Sequence, residues 1–178
     1  MKYLIIFLLI LPIFTHGQET NKDLVENMKN IADLPYIGKY GELGCGDVIF
    51  WKLVKKKLEI VPLLIEKVND TTKVNVYVPN FGGKYTVGDA AYVAISEIIK
   101  GIPTFDLLDV EFDREGCGYC SYYFHLRSSV AHRNKFQKAL SKWYGKNNKK
   151  LIWIEDNRIL TGDCSGEHPN KGHYIVQE

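Results

Sequence analysis

Apolar residues recur at helical spacing along most of this chain and change to strict alternation in one short stretch. Leu24, Val25, Met28, Ile31 and Ala32 share one face of a helix predicted from about Asn21 to Leu34, which Pro35 ends. Gly38, Gly41, Gly44 and Gly46 make the next segment too flexible for an element interior and predict a loop. Asp47 is placed to cap a helix through about Leu58, with Val48, Trp51, Val54 and Leu58 stacked on one side. Pro62 suits the first turn of a second helix, where Val61, Leu64, Ile65 and Val68 repeat at helical spacing, so the two predict an antiparallel pair. From Thr71 to Tyr85 the period changes. Val74, Val76 and Val78 alternate with other side chains, and Pro79-Asn80-Phe81-Gly82-Gly83 supplies a turn, which predicts a projecting hairpin or extended loop.

Thr86 followed by Asp89 has the spacing of a capping box, and Val87, Ala90, Ala91, Ala94, Ile95 and Ile98 form the cleanest helical stripe in the chain. Gly101 and Pro103 stop it. The stretch from Thr104 to Asp113 is ambiguous between a helix starting at Thr104 and a strand. Phe136, Leu140, Trp143 and Tyr144 then lie on one face of a helix from Arg133 to about Asn147. Leu151 to Ile154 reads as an apolar patch packed back on the body, and residues 161–178 as a polar tail held mainly by Cys164. Two stretches also read alike. Gly46-Asp47, a helical run and Ile60-Val61-Pro62 are echoed by Gly88-Asp89, a helical run and Gly101-Ile102-Pro103, offset by 42 residues at the aspartates and 41 at the prolines. That is the repeat length of helix-pair solenoids, whose stacked units bury a shared core.

On those residues the chain resembles the HEAT class of helical repeats: Val61-Pro62-Leu63-Leu64-Ile65 with Asp70, then Asp89-Ala90-Ala91 through Ala94-Ile95. The resemblance covers about Asp47 to Asp106. It implies a mostly α, compact domain of helix pairs over residues 18–160, and a role in binding proteins. The insertion from Thr71 to Tyr85 departs from the family and argues against a long superhelix; insertions in such repeats gather on one face, often the binding face. In general plan only, with no motif to carry it, a small exported helical domain with disulfides is similar to periplasmic immunity proteins that block cell-wall-cleaving toxins.

Export is predicted by the N-terminus: Lys2, an apolar run from Tyr3 to Phe14, then Thr15-His16-Gly17-Gln18. The run is too short for a membrane span and has the layout of a signal peptide, with cleavage expected after Gly17 and no membrane span afterwards. A 46% apolar content excludes a mainly disordered chain, and 23 basic against 21 acidic residues leave no long-range field to draw in nucleic acid or anionic lipid. Cys45, Cys117, Cys120 and Cys164 are an even set bound for an oxidising space, which predicts two disulfides in any of three connectivities. The preferred pairing is Cys117 with Cys120 and Cys45 with Cys164, which would tie the tail to the body.

No catalytic constellation outweighs a binding role. Cys117-Gly118-Tyr119-Cys120 resembles the active site of thiol-disulfide exchange proteins, and redox chemistry there is the main alternative. Against it, the upstream region reads helical instead of βαβ. Cys120 with His125 or His132 only partly meets a cysteine-protease pattern. Cys164, His168 and His173 are metal-ligand types in a segment with little to fix them, and a disulfide at Cys164 would remove its thiolate. No cofactor is implied. The reading is a protein-binding module with no catalytic and no metal residues, contacting an unidentified protein partner through Tyr77, Asn80, Phe81, Gly82, Gly83 and Tyr85. A self-associating structural component of the cell envelope is the third class.

Overall fold

The computed structural model describes residues 19–37, 43–79, 81–112, 118–156, 159–160, 164 and 166–177. The expected signal segment, Asn80 and Cys117 lie outside the described residues. The chain enters at α1 (Asn21–Glu26), opened by a reciprocal capping box between Thr20 and Asp23. A 3-10 turn carries it to Asn30, short of the expected end at Leu34. The reason is a competing partner: the Ala32 N–H donates to the Asp47 carboxylate at 2.6 Å instead of continuing the helix. Two short strands, β1 (Tyr36–Ile37) and β2 (Leu43–Gly44), pair antiparallel where a loop is expected.

Asp47 caps α2 (Val48–Lys55) by accepting the Phe50 N–H at 2.9 Å, and Pro62 stands in the first turn of α3 (Val61–Lys67). The Thr71 to Tyr85 segment forms a hairpin of β3 (Lys73–Tyr77) and β4 (Lys84–Thr86), with Val74, Val76 and Val78 inward and Lys73, Asn75 and Tyr77 outward. The capping box at Thr86 and Asp89 then opens α4 (Val87–Ile98). Its Ala90, Ala91, Ala94, Ile95 and Ile98 are buried, and α4 packs on α3 and α2 more extensively than those two pack on each other. Close approach is built in at Gly88, where a Cβ would run into the carbonyl oxygen of Val68 and whose N–H donates to Asp70 at 3.0 Å. The two aspartates of the echoed motif therefore differ in detail: Asp47 is the cap itself, and Asp89 is the third residue of its helix.

The ambiguous stretch resolves as α5 (Thr104–Leu108), ending where Asp109 turns left-handed at φ 60°. It is followed by α6 (Cys120–Ser128), whose buried face is Tyr122, Tyr123 and Leu126, and α7 (Val130–Asn147), which starts before Arg133 because Ser129 accepts the Ala131 N–H. Gln137 of α7 donates to the carbonyls of Ile65 and Glu66 at 3.0 and 2.8 Å, closing the C-terminal end of α3.

The strands after α7 correct the mostly α expectation, for the fold is mixed α and β. After α7 come β5 (Leu151–Glu155), β6 (Ile159–Leu160), β7 (Gly166–Glu167) and β8 (Gly172–Val176). The strands pair antiparallel as β5 with β8, in register from Leu151↔Val176 to Glu155↔Gly172, and β6 with β7. The segment beyond residue 161 is therefore more than a tail on one cysteine: β8 is laddered to β5, and the Lys100 N–H donates to Tyr174 at 2.8 Å. Gly172 is needed there because the Trp153 indole covers its Cα. Cys45 and Cys164 form a disulfide across 119 residues, as the preferred pairing has it. Beside it the Trp51 indole N–H donates to the Cys45 carbonyl at 2.9 Å, and His168 meets the Trp51 ring edge-on at 5.1 Å.

Candidate functional site

Among the described residues, two regions gather several aromatic side chains with polar groups at the surface or around a cavity. The first is the β3–β4 hairpin where it meets α6. Tyr77 and Phe124 are 67% and 66% exposed, far above what their size favours. At the hairpin tip Phe81 rests against Phe124 at 4.8 Å and Tyr123 at 5.2 Å, and the Arg127 guanidinium lies 4.7 Å over the Phe81 ring. Arg127 also donates to the carbonyls of Gly82 and Lys84, at 3.3 and 2.8 Å, so α6 holds the hairpin tip in place. Lys84 sits opposite Tyr77 in the ladder, with its ammonium 5.5 Å from that ring.

Of the six residues expected at the partner surface, Tyr77, Gly82 and Gly83 are exposed and Phe81 is half-buried. Asn80 lies outside the described residues. Tyr85 corrects the expectation: it is 5% exposed, its ring packs edge-on against Tyr123, and burial pushes its phenol pKa up. The alternating pattern puts Tyr85 on the same inward side as the valines, a signal the turn-centred reading passes over. Arg127 is missed by that reading, and Phe124, one of a run of aromatics that the sequence offers as a contact patch, stands outside its six residues. Their helix is hidden behind the cysteine motif, although Tyr122, Tyr123 and Leu126 already mark its buried face.

The second region is a cavity of about 490 Å³ between α4, the link from α4 to α5, and the start of α6. Tyr92, Tyr119, Tyr122 and Tyr123 line it, with Ser96 and Thr104 adding hydroxyls. The Tyr92 hydroxyl is hydrogen-bonded to Thr104, and the ring is stacked on Tyr122 at 5.5 Å. Burial pushes the Tyr92 phenol up to about 12, against the lowering effect of the Thr104 bond, and burial also raises Tyr122 and Tyr123. Each carboxylate of the wall has a cationic neighbour, Lys100 for Glu97 and Arg133 with Arg127 for Asp89. Glu97 is 2.8 Å from the Lys100 ammonium and 3.6 Å from His168, and Asp89 is 3.3 Å from Arg133 and 3.9 Å from Arg127.

The remaining chemistry-bearing residues go separate ways. Cys120 opens α6 and is disulfide-bonded. His125 and His132 stack face to face at 4.1 Å on either side of the α6–α7 junction instead of facing a thiolate. Cys164 is consumed in its disulfide, His168 is held between Trp51 and Glu97, and His173 stands 3.6 Å from Asp156, so the three do not converge on one point. No helix among the described residues is long and apolar enough to cross a membrane. No protein-family model, curated protein or solved structure matches the chain.

Proposed function

We propose that this chain is an exported, non-catalytic binding domain that occupies a partner protein and neutralises it, as an inhibitor or immunity protein does. The observation that carries the reading is the exposure of Tyr77 on the hairpin and of Phe124 on α6, with Arg127 and the half-buried Phe81 and Lys84 beside them. Tyrosine and arginine dominate interface hot spots, and large aromatic rings left in water favour an interaction surface. Export to an oxidising compartment, periplasmic or extracellular, is supported by the Cys45–Cys164 disulfide. A HEAT-like scaffold is supported by the order α2, α3, α4, α5, in which each second helix is opened by a proline, Pro62 or Pro103. The partner's identity is the subject of the test. Tagged domain, oxidised and processed, is used to capture proteins from the cell envelope of its source, beside Tyr77→Ala and Phe124→Ala variants. The reading expects one protein whose recovery falls at least about tenfold in both variants, the scale of single hot-spot truncations. Equal recovery from all three baits would remove this surface from the account.

Thiol-disulfide exchange at Cys117 and Cys120 is the second reading, and one observation bears on it: Cys120, the second cysteine of the motif, is the first residue of α6, at a helix N-terminus that favours thiolate. A structural bridge resists a glutathione buffer, and an exchanging one is reduced readily. Measuring that equilibrium separates the two readings.

A further inference from the structure

We infer that the cavity between α4 and α6 is a binding site for a neutral saccharide, of one or two pyranose rings. The cavity is separate from the protein-docking surface of the hairpin and α6, although Tyr123 borders both. Size comes first. At about 490 Å³ the cavity falls within the range of small-molecule pockets, and its mouth is marked by Tyr119, which is 48% exposed.

Charge then narrows the ligand. Glu97 is paired with Lys100, and Asp89 with Arg133 and Arg127, so an ion entering the cavity competes with a charge partner already in place. A neutral ligand displaces none. It meets instead a wall of phenols and the hydroxyls of Ser96 and Thr104. The phenols of Tyr92, Tyr122 and Tyr123, raised by burial, stay protonated at ordinary pH; Tyr92 is bonded to Thr104 and Tyr123 to Tyr85, and each hydroxyl keeps lone-pair capacity beyond that one bond. Carboxylate and ammonium of the Glu97–Lys100 pair add one acceptor group and one donor group at the same wall. A purely apolar ligand would strip water from these polar groups and use none of the hydrogen-bonding capacity left beyond their mutual bonds, which costs affinity. What suits aromatic faces beside a ring of donors and acceptors is a molecule with a C–H face and hydroxyls at its edge. A pyranose has both.

The test uses the oxidised, processed protein and saturation-transfer NMR with millimolar glucose, galactose, mannose and N-acetylglucosamine. Tetramethylammonium and benzoate serve as charged probes. The expected result is saturation of at least one sugar, weakened about tenfold or more by Tyr119→Ala and abolished by Ser96→Trp, which fills the cavity. Phe124→Ala, on the other surface, should leave it unchanged. Far-ultraviolet circular dichroism checks each fold, and Tyr119→Ala, at a half-exposed rim position, keeps the test decisive if Ser96→Trp does not fold. Failure of all four sugars, preference for a charged probe, or sugar binding that survives Tyr119→Ala unchanged would overturn the inference.

Discussion

Replacing Arg133 by Met isolates the charge that holds the centre of the molecule together. Arg133 and Asp89 are 3% and 1% exposed, and their 3.3 Å contact joins α7 to the first turn of α4. Methionine keeps most of the apolar stem and removes only the guanidinium, leaving a buried carboxylate. Breaking a buried pair from one side costs about 3–5 kcal/mol. Arg127 stands 3.9 Å from the other Asp89 oxygen and softens the loss, but it is also engaged with the hairpin carbonyls of Gly82 and Lys84. The expectation therefore lies near the lower end, about 3 kcal/mol, a large part of the roughly 5–15 kcal/mol that stabilises an ordinary domain. Urea unfolding followed by circular dichroism reads the change as a shift in midpoint at constant slope. Adding Asp89→Asn to Arg133→Met should restore about 1 kcal/mol or more, because the amide still accepts the Thr86 N–H and carries no unpaired charge. An Arg133→Met loss within about 0.5 kcal/mol, or a double variant less stable than the single, would refute the reasoning.

Gly88→Ala should destabilise by about 1–3 kcal/mol in the same assay, since its Cβ meets the Val68 carbonyl and backbone must move, whereas Gly101→Ala has open space around its Cβ and only its left-handed φ of 78° to contend with. Replacing Cys45 and Cys164 by serine opens a 119-residue link and should cost at most about 5 kcal/mol by loop entropy. Burial first, then His132 and Lys135, holds His125 below its ordinary value of 6.5, with Asp109 opposing. The unfolded chain therefore binds that proton more readily, so stability is constant above about pH 6.5 and falls as pH drops below it. Urea midpoints at neutral and mildly acid pH, compared with His125→Gln, check this; equal acid sensitivity in the variant would assign the effect elsewhere.

How far the chain announces its fold depends on how local each determinant is. The α4 helix is legible because its capping box and alanine stripe are contiguous, and the hairpin because Val74, Val76 and Val78 alternate within one run. Strand β8 is not, because its partner β5 lies a loop away and the glycine that suggests a flexible tail, Gly172, is there to let Trp153 close over the strand. The α1 helix ends early through a long-range acceptor, the Asp47 side chain, that no local propensity reveals. On the candidate surface the β3–β4 half was legible as an insertion. The α6 half, with Phe124 and Arg127, required the tertiary fold to bring a second segment under the tip. The cavity needs three segments at once, and nothing in any one of them marks it.

The docking claim is tested most directly by placing a photo-reactive phenylalanine analogue at position 124 in the native cell envelope, with position 152 on β5, also exposed, as control. The account predicts a covalent adduct with one protein from position 124 and none with that protein from position 152. Adducts of the same pattern from both positions, or none from 124, would contradict it.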